Sequence, residues 1–316
     1  MKDLLDKKIV VVMGGPSSEA EVSRRTGTAI LAALKSLGYD AHGMEFHPAT
    51  FADDIKESHA DIVFNAMHGS FGEDGKMQAV LELIGIPYTG SGVTASAVTM
   101  DKTMAKNIFL GAGISTPRSA IFKKRDYRTE DGEKKIIDRI KKDFSLPVVV
   151  KAASQGSSIG VEIVDKAEGL SAALKNAFSY GSKTLVEEFI DGMEITVAVL
   201  GDGKTCSAMP IIEITTESGR YDYDSKYKVG ASHHIIPARI DEDTAARMRA
   251  LAEKTFDVCN LRGVARIDMM VDKAGIGYVI DVNTVPGMTE TSLVPDAARA
   301  MGLEFPQLCE KMLECI

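Results

Sequence analysis

The sequence predicts an α/β protein of two or three domains that opens with a parallel, Rossmann-like layer. Three observations predict it. At 316 residues the chain is longer than one hydrophobic core normally supports. Near the amino terminus, short apolar runs alternate with stretches of helical periodicity, the β-α-β order of a parallel sheet. Further along, apolar runs follow one another across short glycine-containing turns, which reads as successive strands.

In chain order, "KKIVVVMGG" reads as a buried parallel strand ending in a glycine turn. Residues 19–37 follow with Val22, Ala29, Ile30, Ala33, Leu34 and Leu37 at helical spacing. Strand-like "AHGMEF" and "DIVFNAMHG" come next, then helix-like "GKMQAVLELIG", which closes a Rossmann-like first unit at about residue 95 (1–95). In such a sheet the functional loops leave the strand ends, here Gly14 to Glu19 and His68 to Asp74. A second unit, 96–190, holds a helix near 101–112, a charged stretch at 123–142 read as solvated helix and loop, and the strands within "LPVVVKAASQGSSIGVEIV". "TLVEEFIDGMEITVAVL" supplies two more strands around Asp191-Gly192. The third unit, 191–316, contains a polar, tyrosine-rich loop at 217–235 with the character of a lid. A helix near 241–258, paired strands at 263–272 and 277–283, and two closing helices complete it.

Composition narrows the function. Hydrophobic residues make up 45% and charged residues 26% of the chain, as in an ordinary soluble protein. A net charge of −8 argues against nucleic acid as the main partner, while leaving room for a phosphate ligand at a local basic patch. The four cysteines form no CxxC pair and the six histidines complete no zinc spacing, so reduced thiols are expected. The apolar run near the amino terminus enters glycines as a first strand does, and no run reaches membrane-spanning length. The expectation is a cytoplasmic protein with no membrane partner.

Three constellations carry chemistry. In "VVVKAASQGSSIGV", Lys151 ends an apolar strand beside a loop of small residues, whose backbone N–H groups can approach phosphate oxygens; a flexible hairpin with an incidental lysine would read the same. In "TLVEEFIDGMEITV", Glu187, Glu188 and Glu194 are placed to accept from ribose or adenine, or simply to face solvent at a strand end. The strongest signal is "GVARIDMMVDKAGIGYVIDVNTVPGM". Arg266 and Asp268 alternate on one strand face, and the short turn "DKAGIG" returns the chain so that Asp281 and Asn283 can face them. Two carboxylates and an amide, all hard oxygen donors, suit Mg²⁺ whose shell is completed by nucleotide phosphates.

Taken together and in this order, these segments resemble the D-alanine–D-alanine ligases of the ATP-grasp superfamily. "GGPSSEAEVS", "HGSFGEDG", "ELIGIPYTGSGVTASAVTMDK", "YDYDSKYKVG", "ARIDMMVD" and "NTVPGMTETSLVP" carry the resemblance over essentially the whole chain. It implies a three-domain ATP-grasp fold, and a ligase that joins two D-alanines through an acylphosphate, releasing ADP and phosphate, for peptidoglycan synthesis. It implies ATP and two Mg²⁺ ions (Mn²⁺ as substitute) as cofactors, and a homodimer. Residue by residue, it implies that Lys102 and Lys151 neutralise phosphates, that Ser157 and Ser158 lie in the loop closing over them, and that Glu187, Glu188 and Ile190 face adenine. Glu194 would meet the ribose, and Asp268, Asp281 and Asn283 the metal. Glu19 would bind the first D-alanine's ammonium, with His68 near its carboxylate, and Ser292 and Leu293 would seat the second. Arg266 and the Gly287 amide would stabilise the oxyanion, Lys226 would touch the reacting groups, and Tyr227, Ser157 and Glu19 would latch the lid.

Three positions depart from the family's pattern. "AASQ" at 152–155 lacks a Pro and an Arg-Glu pair, Glu188 stands where a lysine is frequent, and Asp281 replaces a glutamate. The last is one methylene shorter, and is expected to hold one of the two ions more weakly.

Overall fold

Lys8–Met13 forms β1, whose Ile9, Val10, Val11 and Val12 are all buried, as expected of a parallel strand covered on both faces. Asp40–Glu45 (β2) and Ile62–Asn65 (β3) pair with it in parallel on either side, giving the order β2-β1-β3. The helix Ala20–Ser36 lays Ile30, Ala33 and Leu34 on this sheet. Gly14 and Gly15 end β1 at φ 79° and 82°, a left-handed turn that side chains with a Cβ resist. The computed structural model describes residues 4–156, 159–216, 232–289 and 292–316.

The second sheet is antiparallel. Ser119–Lys123 (β4), Val148–Ala152 (β5), Val161–Val164 (β6) and Lys183–Glu188 (β7) lie in the order β4-β7-β5-β6. The helices Gly132–Asp143 and Leu170–Ser179 cover it through Ile136, Ile140, Leu170, Leu174 and Phe178.

The third sheet is also antiparallel. Gly192–Gly201 (β8), Ile212–Thr216 (β10), Ser232–Ile235 (β11), Gly263–Asp272 (β12) and Gly277–Asn283 (β13) run in the order β11-β10-β8-β12-β13, with Cys206–Ala208 (β9) added to β8. The helix Glu242–Val258 packs Ala245, Met248, Ala252 and Phe256 against it, and starts at an Asp241 cap that accepts from the Thr244 amide.

The α/β class and the β-α-β order of the first unit are as the sequence predicts. Three details differ. Ser232–Ile235, placed by sequence at the end of a loop, is a strand, because its backbone continues the ladder of β10 from Glu213 to Thr216. The helices Phe51–Glu57 and Val93–Met100 escape a reading by periodicity, being too short to repeat a pattern. Finally, β7 and β8 are consecutive but do not pair; the chain crosses from the second sheet to the third at Phe189–Asp191.

One core joins the two ends of the chain. Leu4, Ile9, Val11, Ile30, Leu34 and Phe64 share a buried cluster with Leu293 and Val294 of the helix Leu293–Ala300 and Leu308, Met312 and Leu313 of the helix Phe305–Glu314. The Tyr39 hydroxyl donates to Glu310 at 2.8 Å across the same contact. Among the described residues no helix is long and apolar enough to cross a membrane.

Candidate active site

The second and third sheets face one another across a cavity of about 790 Å³. Val149, Met270 and Ile280 give it apolar walls, and Lys151 of β5, Glu187 of β7, Ile190 of the segment between the sheets and Glu194 of β8 reach it. The sequence folds this way locally because β5 and β7 are paired, Lys151 opposite Leu185 and Val149 opposite Glu187. That register brings the Lys151 ammonium 2.6 Å from one oxygen of Glu187.

The other oxygen of Glu187 is taken by Lys106, a residue the sequence reading passed over. All three groups are buried, Glu187 to 2% exposure. Burial pushes the Glu187 carboxyl up, and the attraction of Lys151 and Lys106 more than offsets it, holding Glu187 below the usual carboxylate range. The signal that could have found Lys106 is its spacing: it stands four residues after Lys102 on the helix Lys102–Gly111, hence on the same face.

The hairpin β12–β13 supplies the polar end of the cavity. Arg266 lies opposite Asn283, and Asp268 opposite Asp281, with a bulge just after Asp268. Arg266 grips Asp268 through two parallel bonds of 2.8 Å, the fork geometry peculiar to a guanidinium. Asp268 also accepts from the Thr196 hydroxyl at 2.7 Å and from the Asn283 amide at 3.2 Å. Lys102, at the first turn of its helix, places its ammonium 2.9 and 3.0 Å from the two oxygens of Asp281.

As a metal site the hairpin offers oxygen donors only. Among the described residues no three His, Cys, Asp or Glu side chains are grouped to hold an ion. Two carboxylates and an amide fit a hard cation that arrives with part of its shell already filled by phosphate oxygens.

At the amino-terminal side, Glu19 precedes the helix Ala20–Ser36, and glycines let it approach. A Cβ on Gly69 would stand 2.7 Å, and one on Gly156 2.9 Å, from the same Glu19 oxygen. His68 is buried, and both ring nitrogens are engaged: Nδ1 donates to the Val285 carbonyl at 2.9 Å, and Nε2 lies 2.9 Å from the Thr26 hydroxyl. The ring is therefore a tie between the first sheet and the loop after β13. Beside it lies Glu73, 3.7 Å from Nδ1, a second residue missed although it falls within "HGSFGEDG". Burial raises the Glu73 carboxyl above the usual range.

Of the remaining expected residues, Glu188 turns toward the chain entering β4, accepting from the Arg118 amide at 2.7 Å with the Arg118 guanidinium 3.7 Å away. The charge reversal at 188 thus has a local counterion. Ser292 stands at the N-cap position of the helix Leu293–Ala300 without bonding its amides; its hydroxyl is 2.8 Å from that of Thr289 and within 3.0 Å of where a Cβ on Gly287 would stand. The Leu293 side chain is buried in the shared core. Ser157, Ser158, Lys226 and Tyr227, with most of the lid segment, lie outside the described residues.

Comparison with known proteins decides the family. The family described as D-ala D-ala ligase C-terminus matches residues 108–314, and D-ala D-ala ligase N-terminus matches residues 41–91. The chain belongs to the D-alanine–D-alanine ligase family. It is 47% identical to the D-alanine–D-alanine ligase of Moorella thermoacetica over 97% of this chain and 98% of that one. The ligase of Pelotomaculum thermopropionicum is 46% identical over 97% and 96%. Among solved structures, the D-alanine–D-alanine ligase of Bacillus anthracis complexed with ATP superposes with a TM-score of 0.81 at 32% identity, covering 98% of this chain and 97% of that one. The VanG D-Ala:D-Ser ligase of Enterococcus faecalis gives 0.82 at 29%, covering 98% and 99%. The ATP-grasp expectation for the fold accords with these ligases.

Proposed function

We propose that this family member joins two D-alanines to D-alanyl-D-alanine, with ATP converted to ADP and phosphate through a D-alanyl phosphate, as a precursor step for peptidoglycan. The observation that carries the reading is the convergence of Lys102, Arg266, Asp268, Asp281 and Asn283 on one hairpin that borders the cavity between the second and third sheets. Such a site suits phosphoryl transfer, where a weak carboxylate nucleophile needs orientation and charge neutralisation more than covalent help.

In this reading the adenine lies between the apolar walls, with Glu187 and Ile190 beside it, the Glu188 backbone near it, and Glu194 at the ribose. Lys151 and Lys102 neutralise the phosphates. Asp268, Asp281 and Asn283 hold magnesium, which supplies charge neutralisation and orientation of the phosphates when bound. Glu19 binds the ammonium of the first D-alanine, and His68 closes the site near its carboxylate through the Val285 loop. Arg266 and the Gly287 amide stabilise the oxyanion of the second step. Ser292 and the amide end of the Leu293 helix seat the second carboxylate. Ser157, Ser158, Lys226 and Tyr227 keep the roles their motifs imply, in a lid that protects the acylphosphate from water. The division into units 1–95, 96–190 and 191–316, the two-metal stoichiometry, the homodimer and the cytoplasmic location belong to the same proposal, which the three separate sheets and the family support.

The test is phosphate release from ATP and Mg²⁺ with D-alanine, set against L-alanine and against D-serine or D-lactate plus D-alanine, with products identified by mass. Release with D-alanine alone and formation of the dipeptide is expected. Formation of D-alanyl-D-serine instead would move the acceptor, in line with the likeness to VanG; nucleotide binding without release would overturn the reading.

A further inference from the structure

Lys106 has no role in the reading above, yet it is among the most buried charges of the chain, at 4% exposure. A buried ammonium is retained only where its three donors are satisfied. Here they are: Lys106 donates to the Thr116 hydroxyl at 2.8 Å, to the Pro117 carbonyl at 2.7 Å, and to Glu187. Thr116 is in turn fixed by its own bond to the Val279 carbonyl at 2.7 Å. With all three donors committed to protein, Lys106 has none to offer a ligand. It also stands behind Glu187, which itself lines the cavity.

Glu187 is therefore a carboxylate held from two sides, Lys106 on one oxygen and Lys151 on the other. A carboxylate carries about four lone-pair sites and the two ammoniums occupy one each, so acceptor capacity remains toward the cavity. The arithmetic of charge matters as much. One lysine against one buried glutamate would form a closed neutral pair. Two lysines leave one positive charge within this trio, and since Lys106 is walled off, that charge is presented to the cavity by Lys151, opposite the carboxylates of Glu194 and Asp281.

We propose that Lys106 is a positioning residue for the nucleotide: it fixes Glu187 as an ionised, acceptor-only group facing the base, and frees the Lys151 charge for the phosphates. The inference rests on the proposed placement of adenine beside Glu187. It makes Lys106 a determinant of base selectivity, because an acceptor-only carboxylate favours the 6-amino group of adenine and repels the 6-oxo group of hypoxanthine.

The test is calorimetric binding of ADP and IDP to the full chain, which needs no turnover of D-alanine and so stands apart from the ligase reading. Lys106→Met is expected to lose about tenfold or more in ADP affinity, the scale of one hydrogen bond to a charged group, and to narrow the preference for ADP over IDP. Lys106→Arg, which keeps the charge, is expected to restore part of that preference. In a Glu187→Gln background, Lys106→Met should leave the ADP-to-IDP ratio where Glu187→Gln puts it, since Lys106 acts through that carboxylate. An unchanged ratio in Lys106→Met, or a further change on top of Glu187→Gln, would overturn the proposal. Should Lys106→Met not fold, Lys106→Arg with and without Glu187→Gln carries the same comparison: a ratio that shifts in the first and stays put in the second supports it, and equal shifts in both sink it.

Discussion

The Lys102 ammonium lies 2.9 and 3.0 Å from the two oxygens of Asp281, tying the first turn of a helix to the last strand of the third sheet. A lysine expected at a phosphate and a carboxylate expected at a metal thus meet each other. A glutamate on the same β13 backbone would have one methylene more with which to carry its carboxylate into the cavity. Asp281→Glu is expected to lower the free Mg²⁺ needed for half-maximal activity. Titrating both proteins with Mg²⁺ at fixed ATP checks it, and superimposable curves would dismiss the idea.

Arg266 holds Asp268 through a two-pronged contact that no ammonium can copy. Arg266→Lys is expected to cost about 10²–10³-fold in kcat, the scale for losing one donor at a developing oxyanion. The KM for ATP should move far less. Steady-state kinetics decide; a drop in kcat below tenfold would argue that Arg266 serves only to position Asp268.

Gly156 leaves room for Glu19, whose carboxylate oxygen a Cβ there would meet at 2.9 Å. Because that atom is the end of a flexible side chain, Gly156→Ala should cost little stability but displace Glu19. The expected outcome is a raised KM for D-alanine with a melting temperature near that of the wild type. A fall in melting temperature with unchanged KM would contradict it.

Glu73 is buried and its carboxyl raised above the ordinary value of 4.5, chiefly by burial. The folded protein therefore binds this proton more tightly than the unfolded chain does, and stability falls as pH rises from 4.5 through the raised folded value. Glu73→Gln removes that slope. Its melting temperature should gain on the wild type's as pH rises across this window, and a constant difference would refute the assignment.

Much of this was legible from residue order. The hairpin at 263–283 was readable because its polar residues alternate on strands otherwise apolar, and the observed register puts Arg266 opposite Asn283 and Asp268 opposite Asp281 as that alternation requires. The Rossmann-like opening was readable because β1 is apolar at every position after Lys8. What stayed hidden depends on groups far apart in sequence. The Lys106–Glu187 contact spans two elements and looks, in one dimension, like an ordinary helix lysine. The passage from β7 to β8 looks like a hairpin because turn residues do not say which sheet the next strand will join. The engagement of His68 by Thr26 and Val285 has no sequence signal at all, since a backbone carbonyl carries no residue identity.

The core shared by the first sheet and the two closing helices sets an order of events during synthesis. Ile9, Ile30 and Phe64 emerge from the ribosome long before Leu308, Met312 and Leu313, which share their buried cluster. Until then the first sheet has only its own helix Ala20–Ser36 over this face, and the apolar surface that the pair presents to the closing helices stays exposed, a surface of the kind chaperones attend. Contacts of such long sequence separation also slow the final folding step. Deleting the helix Phe305–Glu314, far from the cavity along the chain, is accordingly expected to unsettle the amino-terminal sheet first, a loss that hydrogen exchange at Ile9–Val12 would register.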